Sequence, residues 1–216
     1  LRGFFIGSEG TFGIITEITV RLTPNPEGIK TMLASFEEVG DACRTVSEII
    51  ASGAVPAAME LMDKYTIEAI ETVVKAGYPK GVAAVLLIEL DGFNSSMQPL
   101  EKIVRTICES NSCSSFDLAS DEQERENLWM GRKKAFGAFG AISPSYYCLD
   151  GTVPRSKLAQ VLEEFEDIGE RFSLRITNVF HAGDGSLHPN VLFDENVPGE
   201  AERAVECGSE ILRACI

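Results

Sequence analysis

The segment His181-Ala182-Gly183-Asp184-Gly185-Ser186-Leu187-His188 constrains this chain most. Asp184-Gly185 lies between two alternating apolar runs, a strong signal for a two-residue turn and so for an antiparallel strand pair. With that turn, Gly183 pairs with Ser186, Ala182 with Leu187, and His181 with His188. Directly opposed residues place their Cβ atoms roughly 4.5–5.5 Å apart on one face. On the histidine face the same pairing puts Thr177, Val179, Asn190 and Leu192. The other face carries Asn178, Phe180, Leu187, Pro189, Val191 and Phe193, mostly core. These two histidines are the only ones in the chain. Neutral imidazoles suit Zn, Fe or Mn, and a catalytic site needs a third ligand plus an open position. The pair can equally hold an anionic substrate, or be uninvolved residues on a surface hairpin. Spacing alone leaves these readings open.

Around the hairpin, strand and helix patterns alternate. Thr31 to Phe36 reads as a strand and Glu37 to Ala51 as a helix with an apolar stripe. A second helix is expected from about Met62 to Ala76. Val82 to Leu90 reads as a buried strand. Ser95 or Ser96 is a candidate cap for a helix through Leu100 and Ile107. Ser115 to Leu118 is a brief strand. Ser120 is the expected cap of a helix through Trp129 to about Phe139. Tyr146 to Val153 reads as one strand, Arg155 to Arg171 as a helix, Leu174 to His181 as a strand. Pro198 opens a last helix. The pattern predicts an α+β fold: a mostly antiparallel sheet with helices on one face, in a ferredoxin-like arrangement.

Residues 1–24 stand apart. They carry a glycine-rich turn, Gly7 to Gly13, and an alternating stretch, Ile14 to Leu22, that reads as a strand. A Pro- and Gly-rich linker follows, and a second domain is expected from 29 to 216. The chain begins without Met inside a structured motif and stops in what reads as a helix, so a fragment of a longer protein is expected. With 33 acidic and 19 basic residues the formal charge is -14. That argues against nucleic acid and against an anionic membrane surface. The longest clean apolar run, Val82 to Ile88, is far short of a membrane span. The six cysteines show no metal spacing and read as reduced thiols of a cytoplasmic protein.

Three further groups are candidates for chemistry. Gly7, Ser8, Glu9, Gly10 and Thr11 can bring backbone N–H groups close to phosphate oxygens, though a plain turn explains them too. Trp129 to Lys134 holds a basic cluster. Within it Arg132 shares a helix face with Trp129 and can bind a carboxylate through its fork, or simply sit on a solvated face. Alternation puts Tyr146 and Tyr147 on opposite faces, one for the core and one, Tyr147, to offer its hydroxyl to a ligand.

Taken in order, Phe5 to Thr16, Leu128 to Lys133, Tyr146 to Pro154 and Asn178 to Pro189 resemble the FAD-linked oxidases of the vanillyl-alcohol-oxidase type. The resemblance covers essentially the whole chain. It implies a flavoenzyme oxidising a small 2-hydroxy acid, glycolate or D-lactate, to the 2-oxo acid. It implies that residues 1–24 are the last piece of the FAD-binding domain and the rest a substrate domain over the flavin. By motif position, Gly7, Ser8, Glu9, Gly10 and Thr11 would lie along FAD. His181 and His188 match the family's metal-binding histidines, for Zn or another divalent metal. Arg132 and Asn190 match positions that contact substrate. The metal would lower the pKa of the substrate hydroxyl while hydride passes to the flavin.

The sequence departs from the pattern in three ways. Ser186 stands where many relatives have Asn. Phe136 and Cys148 stand where members oxidising 2-hydroxyglutarate have Thr and Lys, which favours a small monocarboxylate. A Glu-His-Gly motif, supplying a third ligand and the base, is expected beyond Ile216, so the piece alone is expected to be inactive. The competing reading is a non-catalytic module that docks partner subunits, such as those of a glycolate-oxidising complex, in the cytoplasm or peripherally at the inner membrane. A zinc hydrolase finds no support, because no Glu stands at metalloprotease spacing.

Overall fold

A computed structural model describes all 216 residues. After a single helical turn, α1 (Arg2–Phe5), the chain has no regular structure until β1 (Gly28–Phe36). Then come α2 (Val39–Ala51), β2 (Ala58–Asp63), α3 (Lys64–Val73), β3 (Ala84–Gly92), α4 (Asn94–Ser110) and β4 (Ser115–Leu118). These strands lie in the order β4-β1-β3-β2, all antiparallel, which is the ferredoxin-like arrangement. The second half adds α5 (Glu122–Ala138), β5 (Ser145–Cys148), β6 (Gly151–Thr152), α6 (Leu158–Phe172), β7 (Arg175–His181), β8 (Ser186–Leu187), β9 (Pro189–Phe193) and α7 (Glu200–Ala214). It joins the first through β7, which pairs with β2 by Glu60↔His181, Leu61↔Phe180 and Met62↔Val179.

The α+β class and the antiparallel sheet agree with the sequence reading, but helices cover both faces of the sheet rather than one. On one face α2, α4, α6 and α7 pack over Met32, Phe36, Leu61, Leu86, Ile88 and Phe180. On the other, α3 and α5 pack over Leu33, Met62, Val85, Leu87 and Val179. Strand β3 explains this: Ala84 to Ile88 are all buried, and an unbroken apolar run marks a strand covered on both sides.

Four local expectations are corrected. First, β2 occupies residues assigned to no strand, and helix α3 starts after it, capped by Asp63 accepting from the Thr66 N–H at 2.9 Å. Second, Tyr146 to Val153 is two strands, β5 on β9 and β6 on β8, broken at Leu149-Asp150. Third, Ile14 to Leu22 is exposed and forms no strand, because residues 1–26 hydrogen-bond only among themselves and a strand needs a ladder partner. Fourth, the cap of α5 is Asp121, whose Oδ1 accepts from the Glu124 N–H, while Glu124 accepts from Ser120.

The six cysteines are free thiols. Burial pushes Cys43 and Cys108 up to about 12, so both stay protonated and inert. No helix is long and apolar enough to cross a membrane.

Candidate functional site: a histidine pair and an arginine beside one buried glutamate

The hairpin turns earlier than its sequence suggests. His181 pairs with Ser186, and Asn178, Thr177 and Ile176 pair with Pro189, Asn190 and Val191. The turn therefore spans Ala182 to Gly185, and His188 lies two residues off the expected pairing. A shift of two keeps side chains on the same face. The imidazoles of His181 and His188 still meet, with ring centroids 5.3 Å apart and nearly perpendicular. Tertiary contacts select this register. The Gly183 N–H reaches the Met59 carbonyl, and the Gly185 carbonyl accepts from the Val153 N–H. Gly185 has φ of 84°, and a Cβ there would stand 2.2 Å from the Val153 oxygen, so only glycine fits.

Each imidazole is held by a carboxylate through Nδ1. His181 Nδ1 lies 2.8 Å from Glu60 Oε1, and His188 Nδ1 contacts Asp150 Oδ1. Asp150 sits at the break between β5 and β6. Glu60 is the residue the sequence did not reveal. It lies on β2 and is buried, and its second oxygen, Oε2, accepts from Arg132 Nε at 2.8 Å. One carboxylate thus joins a histidine on β7 to an arginine on α5. Neither Nη nitrogen of Arg132 has a protein partner.

Helix α5 is placed by a second glutamate. Glu89 on β3 accepts from Arg125 Nε at 2.9 Å, from Trp129 Nε1 at 2.6 Å and from the Thr31 hydroxyl at 2.7 Å. Arg125, Trp129 and Arg132 recur at helical spacing, so one stripe of α5 faces the sheet. Gly131 lets the helix approach residues 76–78, where an added Cβ would stand 2.7 Å from that of Ala76. Lys133 and Lys134 point to solvent, so the basic cluster is divided and Arg132 alone turns inward.

The remaining sequence candidates fall in different places. Asn190 is fully enclosed; its amide nitrogen donates to the His188 carbonyl at 2.8 Å, and its buried Oδ1 has no partner. Contact with a ligand therefore requires that oxygen to be uncovered. Tyr147 is on the far face: it pairs with Val191 and packs so closely on α7 that a Cβ at Gly208 would meet its ring at 2.7 Å. Tyr146 is the tyrosine on the histidine side, edge-on to Phe139. Phe136 lies edge-on to His188, with ring centroids 6.4 Å apart. Gly7 to Thr11 form an exposed turn with positive φ at Gly7, Glu9 and Gly10, and open space beside Gly7 and Gly10.

The donor set offers two of the ligands a divalent metal needs. Carboxylates on both Nδ1 atoms are the partners that metal-binding histidines usually have, and they leave each Nε2 available. No group of three or more His, Cys, Asp or Glu side chains gathers to hold an ion.

Comparison with known proteins places the chain. The family model described as FAD linked oxidases, C-terminal domain, matches residues 25–216. Glycolate oxidase subunit GlcD of Escherichia coli strain K12 is 47% identical across the whole chain, which spans 43% of that protein. A probable mitochondrial D-lactate dehydrogenase of Danio rerio is 33% identical over 94% of the chain and 41% of its own length. Among solved structures, alkyldihydroxyacetonephosphate synthase shares the fold with a TM-score of 0.70 at 14% identity, over 99% of this chain and 44% of that one. The chain therefore spans less than half the length of the curated relatives it matches.

Proposed function

The chain belongs to the FAD linked oxidases, C-terminal domain family, and on that premise we propose that it is the substrate-binding part of an FAD-dependent 2-hydroxy-acid oxidoreductase. The substrate is a small monocarboxylate, glycolate or D-lactate, oxidised to the 2-oxo acid. The observation that carries this reading is the Arg132–Glu60–His181 chain of contacts with His188 beside it. Similarity to a glycolate oxidase subunit and a D-lactate dehydrogenase supports the substrate class.

The residues have separate tasks. Arg132 presents two free Nη groups, the fork that suits a carboxylate. His181 and His188 face the hydroxyl end, either directly or as two ligands of a divalent metal whose further donors come from outside these 216 residues. When bound, such a metal would lower the pKa of the substrate hydroxyl, and FAD would supply the hydride acceptor. Asn190 supports His188 from beneath. The Phe136 ring beside His188 narrows the space and favours a short side chain. We assign residues 1–24 to the last piece of the FAD-binding domain, with Gly7 to Thr11 along the cofactor. Their exposed Phe4, Ile14, Ile18 and Leu22 need cover that residues 25–216 do not provide. A cytoplasmic setting with partner subunits suits the same reading.

In the full-length protein, glycolate or D-lactate should reduce a dye acceptor. His181→Ala should abolish turnover with flavin content unchanged. Wild-type turnover in that variant would remove His181 from the reaction.

A further inference from the structure

We propose that Glu60 is the positioning residue of this site, a single buried carboxylate that fixes the tautomer of His181 and the orientation of Arg132 together. The purpose of this arrangement rests on the function proposed above; the geometry stands by itself.

Glu60 spends each oxygen on a different functional side chain, both at 2.8 Å. It is 5% exposed, on a strand paired on both sides by β3 and β7, so its carboxylate has little freedom to move. A carboxylate without its proton only accepts. Against His181 Nδ1 it therefore requires Nδ1–H and leaves the lone pair on Nε2. Against Arg132 it takes Nε–H, the one donor that leaves both Nη groups for an incoming carboxylate. A merely structural ion pair would explain the contact with Arg132. It would not explain why the second oxygen is given to a histidine whose side chain is half exposed. Buried ion pairs also add little net stability, because desolvation offsets attraction, so stability alone is a weak reason to keep one here.

Glutamine separates these functions. Its amide has the shape of Glu60 but one acceptor and one donor. If the carbonyl keeps Arg132, the NH2 group faces His181 and drives the imidazole to the Nε2–H form, which closes its free lone pair. If the carbonyl keeps His181, Arg132 loses its partner. Either way one of the two groups is misplaced.

The chain has only two histidines, so long-range ¹⁵N–¹H spectra of ¹⁵N-histidine-labelled protein report each ring directly, and a second sample labelled with ¹⁵N-arginine reports the Arg132 Nε–H. In the wild-type chain, at a pH where the imidazoles are neutral, His181 should carry its proton on Nδ1. In Glu60→Gln either His181 should shift toward the Nε2–H form or the Arg132 Nε–H resonance should lose its protection from exchange, with His188 unchanged as the internal reference. A wild-type His181 in the Nε2–H form would overturn the proposal, and this needs no variant to fold. A folded Glu60→Gln chain with both signals as in wild type would overturn it too. In the full-length enzyme, Glu60→Gln should lower kcat/KM roughly 10- to 100-fold, with flavin content unchanged. Loss of the Arg132 arrangement should appear in KM, and loss of the His181 tautomer in kcat. Failure of the full-length protein to oxidise 2-hydroxy acids, with Nδ1–H intact at His181, would sink the proposed function and leave the Glu60 bridge standing.

Discussion

Gly185 decides where the hairpin turns. The dipeptide Asp184-Gly185 signals a tight turn, yet Gly185 serves a different purpose: it lets the chain pass against Val153 in a left-handed conformation. The sequence therefore carried the face of the two histidines correctly and their pairing incorrectly. The face depends only on parity along the strand, whereas the register depends on contacts to residues 59 and 153 that are remote in sequence. Gly185→Ala should cost about 1–3 kcal/mol in urea unfolding, since strain and a backbone clash add at one site. An unchanged midpoint would mean that the turn relaxes without loss. Glu60 shows the converse limit. In Ala58-Met59-Glu60-Leu61-Met62 it is a lone glutamate among good helix formers, and nothing local marks it as buried. Only the sheet, by placing β2 between β3 and β7, turns it toward Arg132 and His181.

At the scale of elements, the site depends on how α5 lies across the sheet. Two glutamates on one face, Glu89 on β3 and Glu60 on β2, hold three side chains of that helix. The stripe of Arg125, Trp129 and Arg132 was legible as helical spacing, but its acidic partners were not, because their strands lie 36 and 72 residues away in sequence. The same limit hid the split of β5 from β6, which follows from pairing with two different strands. Glu89 also predicts a pH dependence. Burial alone would raise its pKa, but hydrogen bonds from Arg125, Thr31 and Trp129 outweigh it and hold the carboxyl below the ordinary range. A carboxyl lowered by folding contributes stability above its unfolded pKa, and that contribution is lost as pH falls through the folded value. Stability measured by denaturant titration should therefore decline on the acid side below the ordinary glutamate range. Glu89→Gln should be less stable at neutral pH and should lack that part of the decline. Parallel curves for the two proteins would contradict the role assigned to Glu89.

For the molecule as a whole, one sheet with helices on both faces brings the candidate site to the α5 side, at the junction of its two halves. Strand β2 ends the ferredoxin-like half, β7 begins the addition, and Glu60↔His181 is a pair across that seam. The alternation of strands and helices made the antiparallel α+β class readable. The second layer of helices leaves one trace in the sequence, the unbroken apolar run of β3. On the function proposed above, this seam receives a 2-hydroxy acid beside a flavin, with Arg132 holding the carboxylate. The most direct test is to mix full-length protein carrying oxidised flavin rapidly and anaerobically with glycolate or with D-lactate and to monitor reduction of the flavin. Wild-type flavin should bleach with one of them. Arg132→Ala should keep its flavin but need about 100-fold more substrate for half-maximal rate, the loss expected when a charge-assisted fork to a carboxylate is removed. Bleaching at wild-type substrate concentrations in that variant would mean that Arg132 does not hold the carboxylate.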